Sequence, residues 1–186
     1  NLAQLDYVFP IDKNTQLEAG YRGTDNKRKI DFEVQIINEN DNATVDENLS
    51  NVLDFEQEVH ALYSQYGKKF NTFSFLAGLR FENTRIFVEQ LDSSSPLNNK
   101  SYNDYFPTLN LGWEISPTAS ITLGYNRRIS RPNAWTLNPF QSRSSKTSYF
   151  QGNPKLDPSY SNGIDIGYLK QFKKVTLNSS VYYRKS

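Results

Sequence analysis

Apolar and polar residues alternate with a period of two along most of this chain. In Ser120–Arg127 the residues Ile121, Leu123 and Tyr125 fall on one face, with Thr122, Gly124 and Asn126 on the other. The pattern returns in Tyr160–Tyr168, where Tyr160, Ile164, Ile166 and Tyr168 alternate with Ser161, Gly163, Asp165 and Gly167. A β-strand needs that period when one face meets an apolar medium and the other meets water. Eight strands are predicted in this way, at about 2–9, 16–24, 52–66, 71–91, 102–115, 119–130, 159–171 and 174–185. Lys29–Asn38 either forms a further strand or extends the second one.

The connections alternate as regularly as the strands. Pro10–Thr15, Gly67–Phe70, Ser116–Thr118 and Phe172–Lys173 are short, whereas 25–51, 92–101 and 131–158 are long. Long loops therefore gather at one end, as in bacterial barrels with short periplasmic turns and long outer loops. Asn71–Leu91 has about twice the 9–11 residues that cross a hydrocarbon layer, so it continues beyond the membrane. The expected fold is all-β, an antiparallel up-and-down meander of about eight strands forming part of a transmembrane β-barrel wall. Trp113, Tyr7, Phe9, Phe73 and Tyr168 lie near short turns as interfacial rings, with Tyr21 and Tyr125 nearer the opposite girdle. Two other architectures fit the same strands: a complete eight-stranded barrel, and a soluble carbohydrate-binding β-sandwich with Trp113, Trp135 and Tyr149 stacking on sugars.

Composition agrees with the barrel. The 186 residues are only 37% hydrophobic but 14% aromatic, with 12 Tyr and 12 Phe. A soluble core would draw more on Leu, Val and Ile. No apolar run approaches the roughly 20 residues of a membrane helix. Twenty-one basic and 20 acidic residues give +1 with no basic stripe, so nucleic acid is not an expected partner. Without cysteine there is no disulfide or thiolate chemistry. The termini read as strand interior and no signal peptide is expected before Asn1, so residues 1–186 are expected to be part of a longer barrel domain.

The loop before the seventh strand carries the densest motif. GYNRRISRPNAWTLNPF followed by YFQGNPKLDPSYSNGIDIGY resembles the barrel of TonB-dependent outer-membrane receptors common in Bacteroidetes. The resemblance rests on Arg127, Arg128, Arg131 and Pro132, on Leu137, Asn138, Pro139 and Phe140, and on Gly152, Asn153, Pro154, Leu156 and Pro158. It extends more weakly over Tyr102–Pro117. It implies a barrel of about 22 strands in the bacterial outer membrane. It also implies a plug domain and a TonB box, neither expected within residues 1–186, a TonB partner engaged through other parts of the protein, and uptake of a scarce nutrient such as a siderophore, vitamin, peptide or glycan.

The prolines of this loop fix φ and remove ladder donors, so it cannot simply prolong the hairpin. Trp135, Phe140, Tyr149 and Phe150 are expected to pack it against the rim or lumen, and Gly152-Asn153 to form a tight turn. Arg131, Trp135, Asn138 and Asn153 are the residues expected to matter, as loop scaffold first and ligand contacts second. Arg127, Arg128, Arg131, Arg143, Lys146 and Lys155 cluster near one rim and suit an anionic ligand or lipopolysaccharide phosphates.

Other chemistry is sparse. His60, with Glu56 and Glu58, suggests a general base, but a polar lumen face explains the same alternation, and no enzyme, cofactor or metal centre is expected. Asp41, Asp46 and Glu47 lie in an acidic stretch whose spacing fits no EF-hand and reads as a solvated loop. The N-x-[ST] matches at Asn42, Asn48, Asn99 and Asn178 read as chance in a bacterial protein.

Overall fold

A computed structural model describes residues 1–38, 40–47, 49–90, 97–143 and 147–186, and leaves the Arg143 side chain undescribed. Its strands in chain order are β1 (Leu2–Asp12), β2 (Thr15–Phe32), β3 (Gln35–Ile37), β4 (Ala43–Val45), β5 (Asn51–Phe70) and β6 (Phe73–Gln90). These are followed by β7 (Asn98–Ser116), β8 (Ala119–Ser130), a one-turn helix α1 (Ala134–Leu137), β9 (Ser142–Arg143), β10 (Tyr149–Phe150), β11 (Ser159–Gln171) and β12 (Thr176–Lys185). Eight strands form one antiparallel sheet in the order β1-β2-β5-β6-β7-β8-β11-β12. The sheet is open, because β1 and β12 are its edges and do not pair with each other. All eight predicted strands are present, and Lys29–Phe32 extends β2 while Gln35–Ile37 pairs separately with Ala43–Val45. Most of the predicted connection 92–101 lies outside the described residues or within β7.

The sheet is a single layer, which rules out a sandwich. Leu109, Leu111, Trp113, Ile121, Leu123 and Tyr125 are not sealed between two sheets, and Trp113 is 55% exposed. One face, here called outer, carries Phe73, Phe75, Ala77, Leu79 and Phe81 on β6, and Tyr105, Leu109, Leu111, Trp113 and Ile115 on β7. The opposite, inner face carries Ser74, Gly78, Arg80, Thr108, Asn110 and Gly112.

Polarity reverses partway up the strands, and the ladder shows where. Tyr21, Leu62, Phe81 and Tyr105 stand side by side on the outer face of β2, β5, β6 and β7. The next outward row is Gly23, His60, Asn83 and Asn103, and above it come Glu58, Arg85 and Ser101. The lipid-facing span of β6 is therefore Phe73–Phe81, close to the roughly nine residues a tilted strand needs. Tyr21, Phe81 and Tyr105 sit where an interfacial aromatic belt belongs. Above this level the inner face turns apolar, with Leu53, Phe55, Ile86 and Val88 all at or below 2% exposure. His60, Glu58 and Glu56 thus point outward above the membrane, which corrects the expectation that they line a lumen. A strand long enough to leave the lipid exchanges its apolar side, because water then lies outside and the loop lies inside.

Short turns close the lower end. Asp12 accepts the Asn14 N–H at 2.7 Å, and that bond holds its carboxyl below the ordinary value. Asn71 adopts φ 44° between β5 and β6, a left-handed conformation that Asn tolerates better than most residues.

Candidate functional site

The site is the segment 131–158, which does not stand above the wall but folds down onto its inner face. Pairing of β7 with β8 stops at Thr108↔Asn126, whereas β8 and β11 remain paired up to Ser130↔Ser159. Extending the register one step would place Pro107 opposite Arg127, and proline has no N–H to offer a ladder. Above that point the β8–β11 hairpin tucks inside the wall. Its side bearing Ile129 and Arg131 then meets the inner side of β6 and β7.

Arg131 is the first anchor. Its Nη2 donates to Glu82 Oε2 and, at 3.0 Å, to Thr84 Oγ1 on β6. Glu82 also accepts from Arg80, and its side chain is only 8% exposed. Glu82 lies just above the lipid-facing span. Burial opposes its charge, but the hydrogen bonds and charges of Arg131 and Arg80 prevail and hold its carboxyl below the ordinary range. Burial raises the neighbouring Tyr102 hydroxyl. Burial and the Asp104 carboxylate push Tyr160 up to about 12.

The helix follows directly. Asn133 caps it: the Thr136 N–H donates to Asn133 Oδ1 at 3.0 Å while Thr136 Oγ1 accepts the Asn133 N–H at 2.9 Å, a capping box. Ala134 and Leu137, 2% and 0% exposed, then pack on Leu53, Phe55, Ile86 and Val88, with Phe140 against the same cluster. Sequence reasoning named Leu137 only as part of the motif and missed Ala134 and the Asn133 cap, although the Asn-x-x-Thr spacing after Pro132 carried the cap signal.

Asn138 and Asn153 tie the two halves of the loop together. Asn138 is 6% exposed. Its side chain accepts the Phe140 N–H at 3.0 Å, and its carbonyl accepts the Gly152 N–H at 2.7 Å. The Asn153 N–H donates to the Thr136 carbonyl at 2.8 Å, and the Asn153 side chain accepts the Lys155 N–H at 2.9 Å. Gly152 is needed for close approach: a Cβ there would lie 2.5–2.7 Å from the carbonyl oxygens of Thr136, Asn138 and Trp135. β7 holds the far end. Asn98 donates to the Pro154 carbonyl, and Lys100 Nζ donates to the Lys155 carbonyl at 2.9 Å and to Asp157 Oδ1 at 2.6 Å.

Of the four residues expected to matter, Arg131, Asn138 and Asn153 are thus engaged within the folded loop. Trp135 is 49% exposed, and Tyr149 and Phe150 are also exposed, so of the four expected packing rings only Phe140 packs down. Arg131 is taken up by Glu82 and is not part of an open basic rim. Lys146 and Asn48 lie outside the described residues.

A single sheet with lipid-compatible residues outside, hydrophilic ones inside and every long loop at one end is the wall of a transmembrane β-barrel. The chain belongs to the outer membrane protein beta-barrel family, whose model it matches over residues 1–186. Its place is the bacterial outer membrane. Among solved structures it is similar to the ferric yersiniabactin uptake receptor FyuA from Yersinia pestis, with TM-score 0.60 and 14% identity over 98% of this chain and 28% of that one. The siderophore receptor PirA from Pseudomonas aeruginosa aligns at TM-score 0.42 and 12% identity, over 98% of this chain and 46% of that one. The chain therefore spans less than half of either receptor. No curated protein matches it in sequence.

Proposed function

We propose that the chain is part of the barrel of a TonB-dependent receptor that takes up a scarce nutrient across the outer membrane. The siderophore, vitamin, peptide and glycan classes all remain compatible with it. Its role is chemically passive, as wall and mouth and not as catalyst. A plug domain and the TonB contact belong to other parts of the protein.

The observation that carries this reading is the low inner face. Gly20, Gly67, Gly78, Gly112, Gly124, Gly163 and Gly167 all face inward. At most of them the space of a missing Cβ is taken by a neighbour lying flat, such as the Tyr63 ring over Gly20 and the Asp165 carboxylate over Gly124. A small closed barrel fills its interior with upright side chains. A wall cleared in this way suits a wide lumen that admits a separate occupant. The motif resemblance and the fold shared with an uptake receptor support the same reading. In the mouth, Arg131, Asn138 and Asn153 shape the inward loop, and Trp135 is the one of the four placed to touch a ligand.

The test is uptake of a panel of labelled ferric siderophores, cobalamin, peptides and oligosaccharides by cells with and without the intact gene, and by cells lacking TonB. Uptake of one ligand that requires both supports the reading. Uptake of every ligand unchanged by loss of the gene, or unaffected by loss of TonB, overturns it.

A further inference from the structure

The outer face of the wall remains ordered above the row of Tyr21, Leu62, Phe81 and Tyr105. Three rows further up, Phe87 on β6 stands between Glu56 on β5 and Asn99 on β7. One row below Phe87, Arg85 stands between Glu58 and Ser101. Glu56, Glu58, Arg85, Phe87 and Asn99 line an open groove of about 460 Å³. Among the described residues, Phe87 is the only Phe, Tyr or Trp on the outer face of β2, β5, β6 and β7 above that aromatic row. Its ring is partly buried and takes no part in the apolar cluster, which lies on the inner face. Glu56 is held by Lys27 at 2.8 Å. The side chains of Glu58, Arg85 and Asn99 have no hydrogen bond or ion pair among the described residues.

Height and charge decide what can fill this groove. Successive rows are two residues apart, about 6.7 Å along a strand and about 5 Å vertically at the tilt of a membrane barrel. The Glu58–Arg85 and Phe87–Asn99 rows therefore lie about 10 and 15 Å above the aromatic belt. A phospholipid head group rises only about 5–8 Å beyond the hydrocarbon, so it does not reach Phe87. A lipid whose head is a chain of sugars does, and the groove is continuous with the face that meets lipid below. On this face of β2, β5 and β6, Asp25, Asp31, Asp54, Glu56, Glu58 and Glu89 outnumber Lys27, Lys29 and Arg85. That balance repels phosphate. A ring beside unpaired carboxylate, amide and guanidinium groups suits a neutral sugar. The C–H face of a pyranose packs on the Phe87 ring, its hydroxyls donate to Glu58, and its oxygens accept from Asn99 and Arg85.

We propose that this groove holds a neutral sugar ring from the head group of an outer-leaflet glycolipid, with Phe87 as the stacking platform. The contact ties the part of the wall above the hydrocarbon to the surrounding leaflet. The groove faces away from the lumen, so it lies off the uptake path and does not rest on the receptor reading.

The test is native mass spectrometry on the intact protein, stripped of lipid in detergent micelles. It is titrated with short-core rough lipopolysaccharide, with the same material dephosphorylated, and with lipid A that lacks core sugars. The first two are expected to bind alike, and lipid A about tenfold more weakly, the loss of one stacked ring and one exposed hydrogen bond. Phe87→Ala/Asn99→Ala should weaken lipopolysaccharide binding by the same factor. Phe87→Tyr should retain it, and Tyr149→Ala, which removes a ring on the folded loop, should leave it unchanged. Heat-modifiable electrophoretic mobility reports that the barrel is folded in each variant. Undiminished binding by Phe87→Ala/Asn99→Ala, an equal loss in Tyr149→Ala, or equal binding of lipid A overturns the proposal. Loss of binding on dephosphorylation or on chelation of divalent cations also overturns it, in favour of a phosphate bridge.

Discussion

Replacing Arg131 by alanine removes the only side chain among the described residues that hydrogen-bonds the start of the loop to β6. Glu82, 8% exposed, would keep Arg80 but lose its second cation, and Thr84 would lose its donor. Breaking a buried pair outright costs about 3–5 kcal/mol. Because half of the clamp on Glu82 survives, a charge-assisted hydrogen bond of about 2 kcal/mol is the better measure. The apolar contacts of Ala134 and Leu137 remain, so the loss falls on docking of the loop and not on the wall. Hydrogen exchange in micelles should show the Leu137, Asn138, Gly152 and Asn153 amides opening about 30-fold more readily. The β5–β6 ladder within the lipid band should be unchanged. A double-mutant cycle with Glu82→Gln should return a coupling of at least about 1 kcal/mol. Unchanged exchange at all four amides, or zero coupling, would refute the clamp.

Three further outcomes follow from the same geometry. Gly152→Ala should undock residues 149–157 and free the backbone at exposed Lys155 for tryptic cleavage, since a Cβ would sit 2.5–2.7 Å from three carbonyl oxygens; an intact loop would remove that argument. Ala77→Arg should cost about 2–4 kcal/mol for folding into vesicles, against about 0–1 for Asn83→Arg, because only the first faces the lipid midplane; equal costs would misplace the boundary. With its folded-state pKa lowered, Glu82 stabilises the docked loop at pH values above its ordinary value near 4.3. That contribution is lost as pH falls through the lowered value. Protection of the loop amides should therefore decline in acid, and Glu82→Gln should abolish that dependence.

The wall was legible in the sequence because a strand between lipid and water must alternate, and alternation needs no partner to be seen. Eight strands, their short and long connections and the lipid-facing row Phe73, Phe75, Ala77, Leu79 and Phe81 follow from that local rule. Beyond the membrane the rule reverses. His60, Glu58 and Glu56 look identical in sequence whether the water they meet is lumen or exterior, and only the ladder places them outside. The loop motif announced a defined shape through Pro132, Pro139, Pro154 and Pro158, yet its direction was set elsewhere: by Pro107 ending the β7–β8 ladder, by Glu82 and Thr84 on β6, and by Lys100 and Asn98 on β7. The hydrogen-bonding partners among these lie 47 to 57 residues away along the chain. Contacts of that range leave no periodic trace, so tertiary structure alone decided that the loop folds inward and that Arg131 is taken up by Glu82.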